Sequence, residues 1–180
     1  NTLVARRPQI GTNVIWADCW SVKDDLFYLD VINLCERQIS AGNKPIEKQA
    51  ALLMAWSAIE RICAIKYSLK MGPREKVKKL GSDDAFKSAL KSFEAKFGQD
   101  HPFRPIQDTR DTESDNSYAF LFSDPDGSAL YLYQIRNNIS HRGKGGYDLD
   151  IPIIDASLEI LILTIQNLLN IENYYNHQSQ

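Results

Sequence analysis

The chain has 180 residues, 43% of them hydrophobic and 24% charged, with a formal net charge of −2. That length suits one domain with one core, and the composition is that of a folded soluble protein rather than a disordered one. The slightly negative charge argues against a broad basic face for non-specific DNA binding. The longest unbroken apolar run, residues 50–56, ends at Ser57, well short of the roughly 20 residues that span a bilayer. Arg6 and Arg7 are followed by no apolar signal-peptide core, so no membrane partner is expected. The chain starts at Asn1 rather than Met, which keeps open a trimmed start or a longer parent chain.

Cys19, Cys35 and Cys63 are odd in number and form no CxxC clip. Cys35 and Cys63 lie among apolar neighbours and read as buried thiols of a reducing compartment, with the cytoplasm as the expected location. His101, His141 and His177 are far apart, with no second His or Cys at metal-ligand spacing. No metal site and no cofactor are expected.

Residues 1–20 read as an N-terminal arm, with Trp16 and Trp20 packing back. Ser21 and Asp24 have the spacing of a capping box and open a helix over 22–40 that Gly42 and Asn43 close. Pro45 opens the longest helix, in which Leu52, Trp56, Ile59 and Cys63 form one helical stripe. Glu60 lies within that stretch. It either meets solvent, Arg61 or a neighbouring helix, or it faces a polar cleft and orients another side chain.

Gly72–Pro73 breaks the pattern. The short basic segment 74–80 follows, and Lys76, Lys78 and Lys79 read as a solvated face, with phosphate contact as the alternative. A helix over 82–97 is expected to be capped by Ser82, with Asp83 and Asp84 favouring the dipole, and to bury Phe86, Leu90, Phe93 and Phe97. Residues 98–127 form a long polar loop insertion anchored by two apolar islands, 103–106 and 118–122. A helix over 128–141 is stopped by Gly143, Gly145 and Gly146. The last helix begins near Asp150 or Asp155 and runs to Tyr174, apolar on most sides, before a tail at 177–180. No internal repeat and no strand with period-2 alternation is evident. The fold class is therefore all-α, a bundle of four to five helices with one long polar loop, in a single domain over 21–176.

The informative stretch is 130–146. No Asp or Glu occurs between Asp126 and Asp148, and Arg136, His141, Arg142 and Lys144 all fall in that gap. Histidine titrates near neutrality and can take a proton from a ribose 2′-hydroxyl or return one to a leaving oxygen. Arginine offers a charged planar fork to phosphate oxygens, and Asn137 can hydrogen-bond an imidazole or a phosphate. In an ideal helix Arg136 and His141 differ by about 140° in azimuth. To aim both at one atom, termination of the helix at the glycines can swing His141, or a second copy of the helix related by a two-fold axis can supply the missing group. The Arg-x4-His spacing by itself is a weak signal.

Residues 136–141, Arg-Asn-Asn-Ile-Ser-His, resemble the Arg-polar-x3-His signature of the HEPN superfamily. An aromatic-apolar helix precedes the motif, a Gly/Lys-rich turn and a long apolar helix follow it, and the helix with Trp56 and Glu60 resembles a core helix of Apea-like HEPN domains. The resemblance covers about residues 22–174 and is specific only at 130–146. It implies a helical homodimer that cleaves RNA without a metal, leaving 2′,3′-cyclic phosphate and 5′-hydroxyl ends, in a toxin–antitoxin, phage-defence or CRISPR setting. Arg136, His141 and Asn137 would be catalytic. Arg142, Lys144 and Asn138 would contact RNA, Glu60 would support the site from behind, and an antitoxin such as a nucleotidyltransferase-like protein would be a partner. Some relatives carry a Tyr two residues after the His; Gly143 stands there, so no property of that Tyr carries over. The alternative is a non-catalytic HEPN module for dimerisation or for binding a partner or nucleotide, and a structural helical domain of a larger chain is a third reading.

Overall fold

The computed structural model describes residues 26–42, 44–67, 71–98, 100–108, 117–142 and 150–169, with the side chains of His141 and Arg142 outside the description. Six helices and one small ladder make up the described residues: α1 (Leu26–Ser40), α2 (Pro45–Lys66), α3 (Pro73–Gly81), α4 (Asp84–Phe97), β1 (Ile106–Gln107), β2 (Ser117–Tyr118), α5 (Pro125–Arg142) and α6 (Ile151–Leu169). The all-α class stands. The count exceeds the expected four to five because the short basic segment is itself a helix, α3. Val77 and Leu80 bury its inner side, and Glu75 turns back to accept from the Gly72 N–H at its start.

α6 packs on α1, α2 and α4, while α5 packs on α3 and α2. By length and composition α6 could cross a membrane, although Asp155 and Glu159 interrupt its apolar run; 61% of it is buried here. A helix apolar on most sides belongs at the centre of a bundle. The expected stripe of α2 is the core: Leu52, Trp56, Ile59 and Cys63 are all buried. Cys35 and Cys63 are free, buried thiols, and burial pushes each up to about 12.

One buried charge ties three helices together. Lys48 on α2 is 1% exposed, and its Nζ donates to Gln38 O at 2.7 Å and to Asp155 Oδ1 at 2.6 Å. It thereby adds a second donor to a carbonyl in the last turn of α1, which also accepts from the Ala41 N–H at 3.3 Å, and pairs with α6. Burial pushes the Asp155 carboxyl above its ordinary value, although Lys48 pulls the other way.

Several boundaries differ from the expectation, each for a local reason. The cap of α4 is Asp83, whose carboxylate accepts from the Ala85 N–H at 3.0 Å. Ser82 instead donates to Lys78 O or Asp126 Oδ1. α5 starts at Pro125, three residues earlier than expected, because Asp124 accepts from the Gly127 N–H at 3.0 Å and proline is well suited to a first helical turn. Gly81 allows α3 to touch this start: a Cβ there would lie 2.6 Å from Asp126 Cα. The expected starts of the first helix at 22 and of the arm before it, and the expected end of the last helix at Tyr174, lie outside the described residues.

The described residues of the long loop pack on α5. Ile106 pairs with Tyr118 and Gln107 with Ser117 in an antiparallel ladder of two residues a side, too short to show as an alternating pattern in the sequence. The two apolar islands do anchor it: the Phe103 and Phe120 rings stack at 4.0 Å, and both meet Tyr131 edge-on. Tyr131 Oη donates to Arg104 O at 2.7 Å, and Ser128 exchanges hydrogen bonds with Leu121 N and O.

Two measurements check this account. Lys48→Met is expected to lower unfolding free energy by about 3 kcal/mol in urea, since it leaves the partly buried Asp155 carboxylate without its ammonium partner; a loss under 1 kcal/mol would contradict the tie. The second concerns Asp83. Burial pushes its carboxyl up, but hydrogen bonds from Lys66, Tyr67 and the Ala85 N–H hold it below the usual range. A depressed folded pKa gives stability that is full above the unfolded value, about 3.9, and is lost as pH falls through the folded one. Asp83→Asn, which keeps a competent cap, is expected to flatten the loss of stability below about pH 4; an unchanged acid limb in a pH series of urea melts would contradict it.

Candidate functional site

α5 carries most of the residues singled out from the sequence, and its burial pattern sorts them. Ala129, Leu132, Ile135 and Ile139 are core. Tyr133 and Arg136 share the side facing α2 and α3, and both line one cavity between those helices. Arg136 Nη2 lies 3.3 Å from Glu60 Oε1, and its Nη1 donates to Asn137 Oδ1 at 3.1 Å. Its guanidinium sits 5.6 Å from the Tyr133 ring centroid, and Tyr133 meets the buried Trp56 edge-on at 5.5 Å.

The local sequence explains this arrangement. Trp56 and Glu60 are four apart on α2, and Tyr133 and Arg136 are three apart on α5, so each helix presents an aromatic ring beside a charged group. Pressed together, ring meets ring and charge meets charge. The two readings of Glu60 converge: its partner is a neighbouring helix, and that partner is the arginine it orients. Arg61 is engaged elsewhere, over the Phe27 and Tyr28 rings at 5.4 and 5.5 Å.

The cavity is about 210 Å³, and its wall includes Trp56, Val77 and Tyr133, with Glu60, Lys76 and Arg136 as its charged groups. It adjoins a more open groove of about 540 Å³ around Gly72, Pro73, Arg74, Tyr133 and Asn137. Arg136 retains access to solvent with 27% of its side chain exposed. A guanidinium has five N–H donors, so two contacts leave donors for an oxyanion. Asn137 is 5% exposed, and through its carbonyl it steadies Arg136.

Asn138 does different work. Its Nδ2 donates to Gln107 O at 2.9 Å and its Oδ1 accepts from Gln134 at 2.8 Å. The amide thus holds β1 on α5, about 200° round the helix from Arg136. The side chains of His141 and Arg142, and all of Lys144, lie outside the described residues. The backbone does answer one question about His141: α5 continues through Arg142. Arg136 and His141 therefore leave one helix about 140° apart and about 7.5 Å apart along the axis, while the expected helix stop at Gly143, Gly145 and Gly146 lies outside the described residues.

Lys76 and Tyr133 belong to this cavity; the sequence reading takes Lys76 only as part of a solvated or phosphate-touching lysine run and does not single out Tyr133. Tyr133 was legible as an aromatic three residues before Arg136. Lys76 sits in a run of lysines, and only the packing of α3 distinguishes it from Lys78 and Lys79, which are exposed. Among the described residues no cluster of three or more His, Cys, Asp or Glu side chains could hold a metal ion. Compared with protein-family models, with curated proteins and with solved structures, the chain has no significant match.

The two sides of the site differ in what they contribute to stability. The Glu60–Arg136 pair has side chains 41% and 27% exposed, and ion pairs with such solvent access are worth less than about 1 kcal/mol. Glu60→Gln is therefore expected to shift unfolding free energy by less than about 1 kcal/mol, and Trp56→Ala by about 3 kcal/mol or more. Chemical denaturation of both variants checks the order, and a reversed order would refute it.

Proposed function

We propose that this protein is a metal-independent endoribonuclease of the HEPN type that works as a homodimer in the cytoplasm, as a toxin or a phage-defence effector. The observation that carries the reading is Arg136: its fork is steadied from two sides, by Glu60 and Asn137, at the rim of an open cleft. A guanidinium held in advance at a solvent-reachable site is suited to a phosphodiester, because it needs no rearrangement as charge builds on the phosphate.

In the proposed reaction His141 takes the proton of a ribose 2′-hydroxyl. The freed oxygen attacks the adjacent phosphorus, the bond from phosphorus to the 5′-oxygen breaks, and that oxygen receives a proton from an imidazolium. The products are a 2′,3′-cyclic phosphate and a 5′-hydroxyl. The nucleophile is internal to the RNA, so the chemistry asks for a base, an acid and phosphate stabilisation rather than a metal-bound water. Arg136 stabilises the phosphorane charge, and Asn137 keeps Arg136 in place. The angular separation of Arg136 and His141 on one continuous helix favours a cleft shared by two protomers, with the partner subunit's His141 facing this chain's Arg136. Arg142 and Lys144 would hold flanking phosphates, and an antitoxin protein would restrain the enzyme by covering the cleft.

The test is incubation with unstructured RNA in EDTA. Cleavage with cyclic-phosphate ends is expected, reduced by about 10²–10⁴ in His141→Ala and by about 10²–10³ in Arg136→Ala. A folded dimer that cleaves none of a diverse RNA pool, or variants that cleave as well as the parent, would overturn the reading.

One observation favours a second reading, a non-catalytic HEPN module that binds a partner or nucleotide: Glu60 already neutralises Arg136. On that reading Arg136→Ala and His141→Ala retain full biological activity, while substitutions that separate the protomers abolish it.

A further inference from the structure

We propose that the cavity beside Arg136 is a nucleobase pocket selective for guanine, which would fix the base next to the scissile phosphate. The inference rests on the nuclease reading for its meaning, but its binding chemistry is independent of cleavage. Four features carry it. The first is size: a cavity of about 150 Å³ admits a benzene ring, and this one, at about 210 Å³, has room for the six-membered ring of a purine, the rest of the base lying toward the adjoining groove that shares Pro73 and Tyr133. The second is the wall, where the half-buried Tyr133 ring, backed edge-on by the buried Trp56, lies beside Pro73 and Val77. Unstacked RNA bases are held against such aromatic surfaces and read along their Watson–Crick edges.

The third feature is the charge pattern. Glu60 Oε1 faces Arg136, which leaves Oε2 to accept, and Lys76 lines the same cavity with no ion pair among the described residues. A carboxylate and an ammonium together match the guanine edge, where the N1–H and N2–H donors stand beside the O6 acceptor. Adenine and cytosine offer a carboxylate one donor group, and uracil offers only its N3–H. The fourth is Trp56 itself, a wall residue whose indole N–H is buried without a hydrogen-bond partner among the described residues. The strand has a way out: the open groove at Gly72–Glu75 shares Pro73 and Tyr133 with the cavity and adds Arg74 for a backbone phosphate.

Calorimetric titration of the full chain with GMP, AMP, CMP, UMP and IMP tests the pocket, since these share the ribose and phosphate and differ in the base. GMP is expected to bind at least about tenfold more tightly than the other four, the scale of one good bidentate base contact. IMP, lacking the 2-amino group, then reports on the carboxylate. Lys76→Ala, at a half-exposed position, is expected to erase the preference while circular dichroism shows an unchanged fold. Val77→Phe, which fills the cavity, is expected to do the same; should it fail to fold, Lys76→Ala decides. Equal binding of all five nucleotides, binding of none, or a guanine preference untouched in Lys76→Ala would overturn the proposal. RNA cleavage without any guanine preference would sink the pocket and leave the nuclease standing. A guanine preference without cleavage would do the reverse.

Discussion

An ammonium group enclosed in a protein interior needs partners, and for Lys48 they exist in one rotation of α2 only. Turned inward, its Nζ reaches a carbonyl in the last turn of α1 and the carboxylate of Asp155 on α6; a buried ammonium without such partners would cost several kcal/mol. Leu52, Trp56, Ile59 and Cys63 follow Lys48 along the same side of the helix, within about 80° of it. The tie at the N-terminal end therefore sets the azimuth of the whole of α2. Glu60, about 120° round from Lys48, comes out at the margin of the buried stripe. There it meets Arg136 rather than the core or open solvent.

α5 answers to a different constraint. It is enclosed by α2 and α3 and also serves as the platform for the segment between α4 and α5. Its polar residues divide accordingly. Ser128, Tyr131 and Asn138 hold the backbone of that segment at Leu121, Arg104 and Gln107, whereas Arg136 and Asn137 face the cleft. A helix with polar duties on two sides and apolar packing on the others has little rotational freedom. The direction of Arg136 is thus as well determined as the packing of its neighbours Ile135 and Ile139. The same rigidity keeps position 141 off the azimuth of Arg136, which is why the proposed chemistry calls for two protomers.

Much of the helical layout was legible in the sequence. Pro45, Gly42 and Gly72–Pro73 are punctuation set by backbone chemistry alone: α1 ends just before Gly42 and α2 starts at Pro45 as expected, while Pro73 opens the unexpected helix α3. The stripe on α2 and the apolar islands at 103–106 and 118–122 follow from periodicity and burial. The misread boundaries share one cause. Ser82 and Asp83, like Asp124 and Ser128, are both acceptable caps by residue type, and which one serves depends on its other partners. Asp83 is drawn in by Lys66 and Tyr67 from the end of α2. Ser128 is occupied by Leu121.

By itself the sequence determined the class of fold, the burial of Cys35 and Cys63, and the short polar segment in which the chemistry is proposed to lie. Those follow from local propensity and from the free energy of moving apolar groups out of water, which act on any chain with this pattern. Tertiary structure alone decided that Lys48 is buried, that Asn138 holds β1, that Glu60 pairs with Arg136 rather than Arg61, and that Lys76 lines the cavity beside Arg136 while Lys78 and Lys79 do not. Each of these is a choice among chemically equivalent partners far apart in sequence. Such choices are settled by which surfaces the packed helices bring within hydrogen-bonding reach.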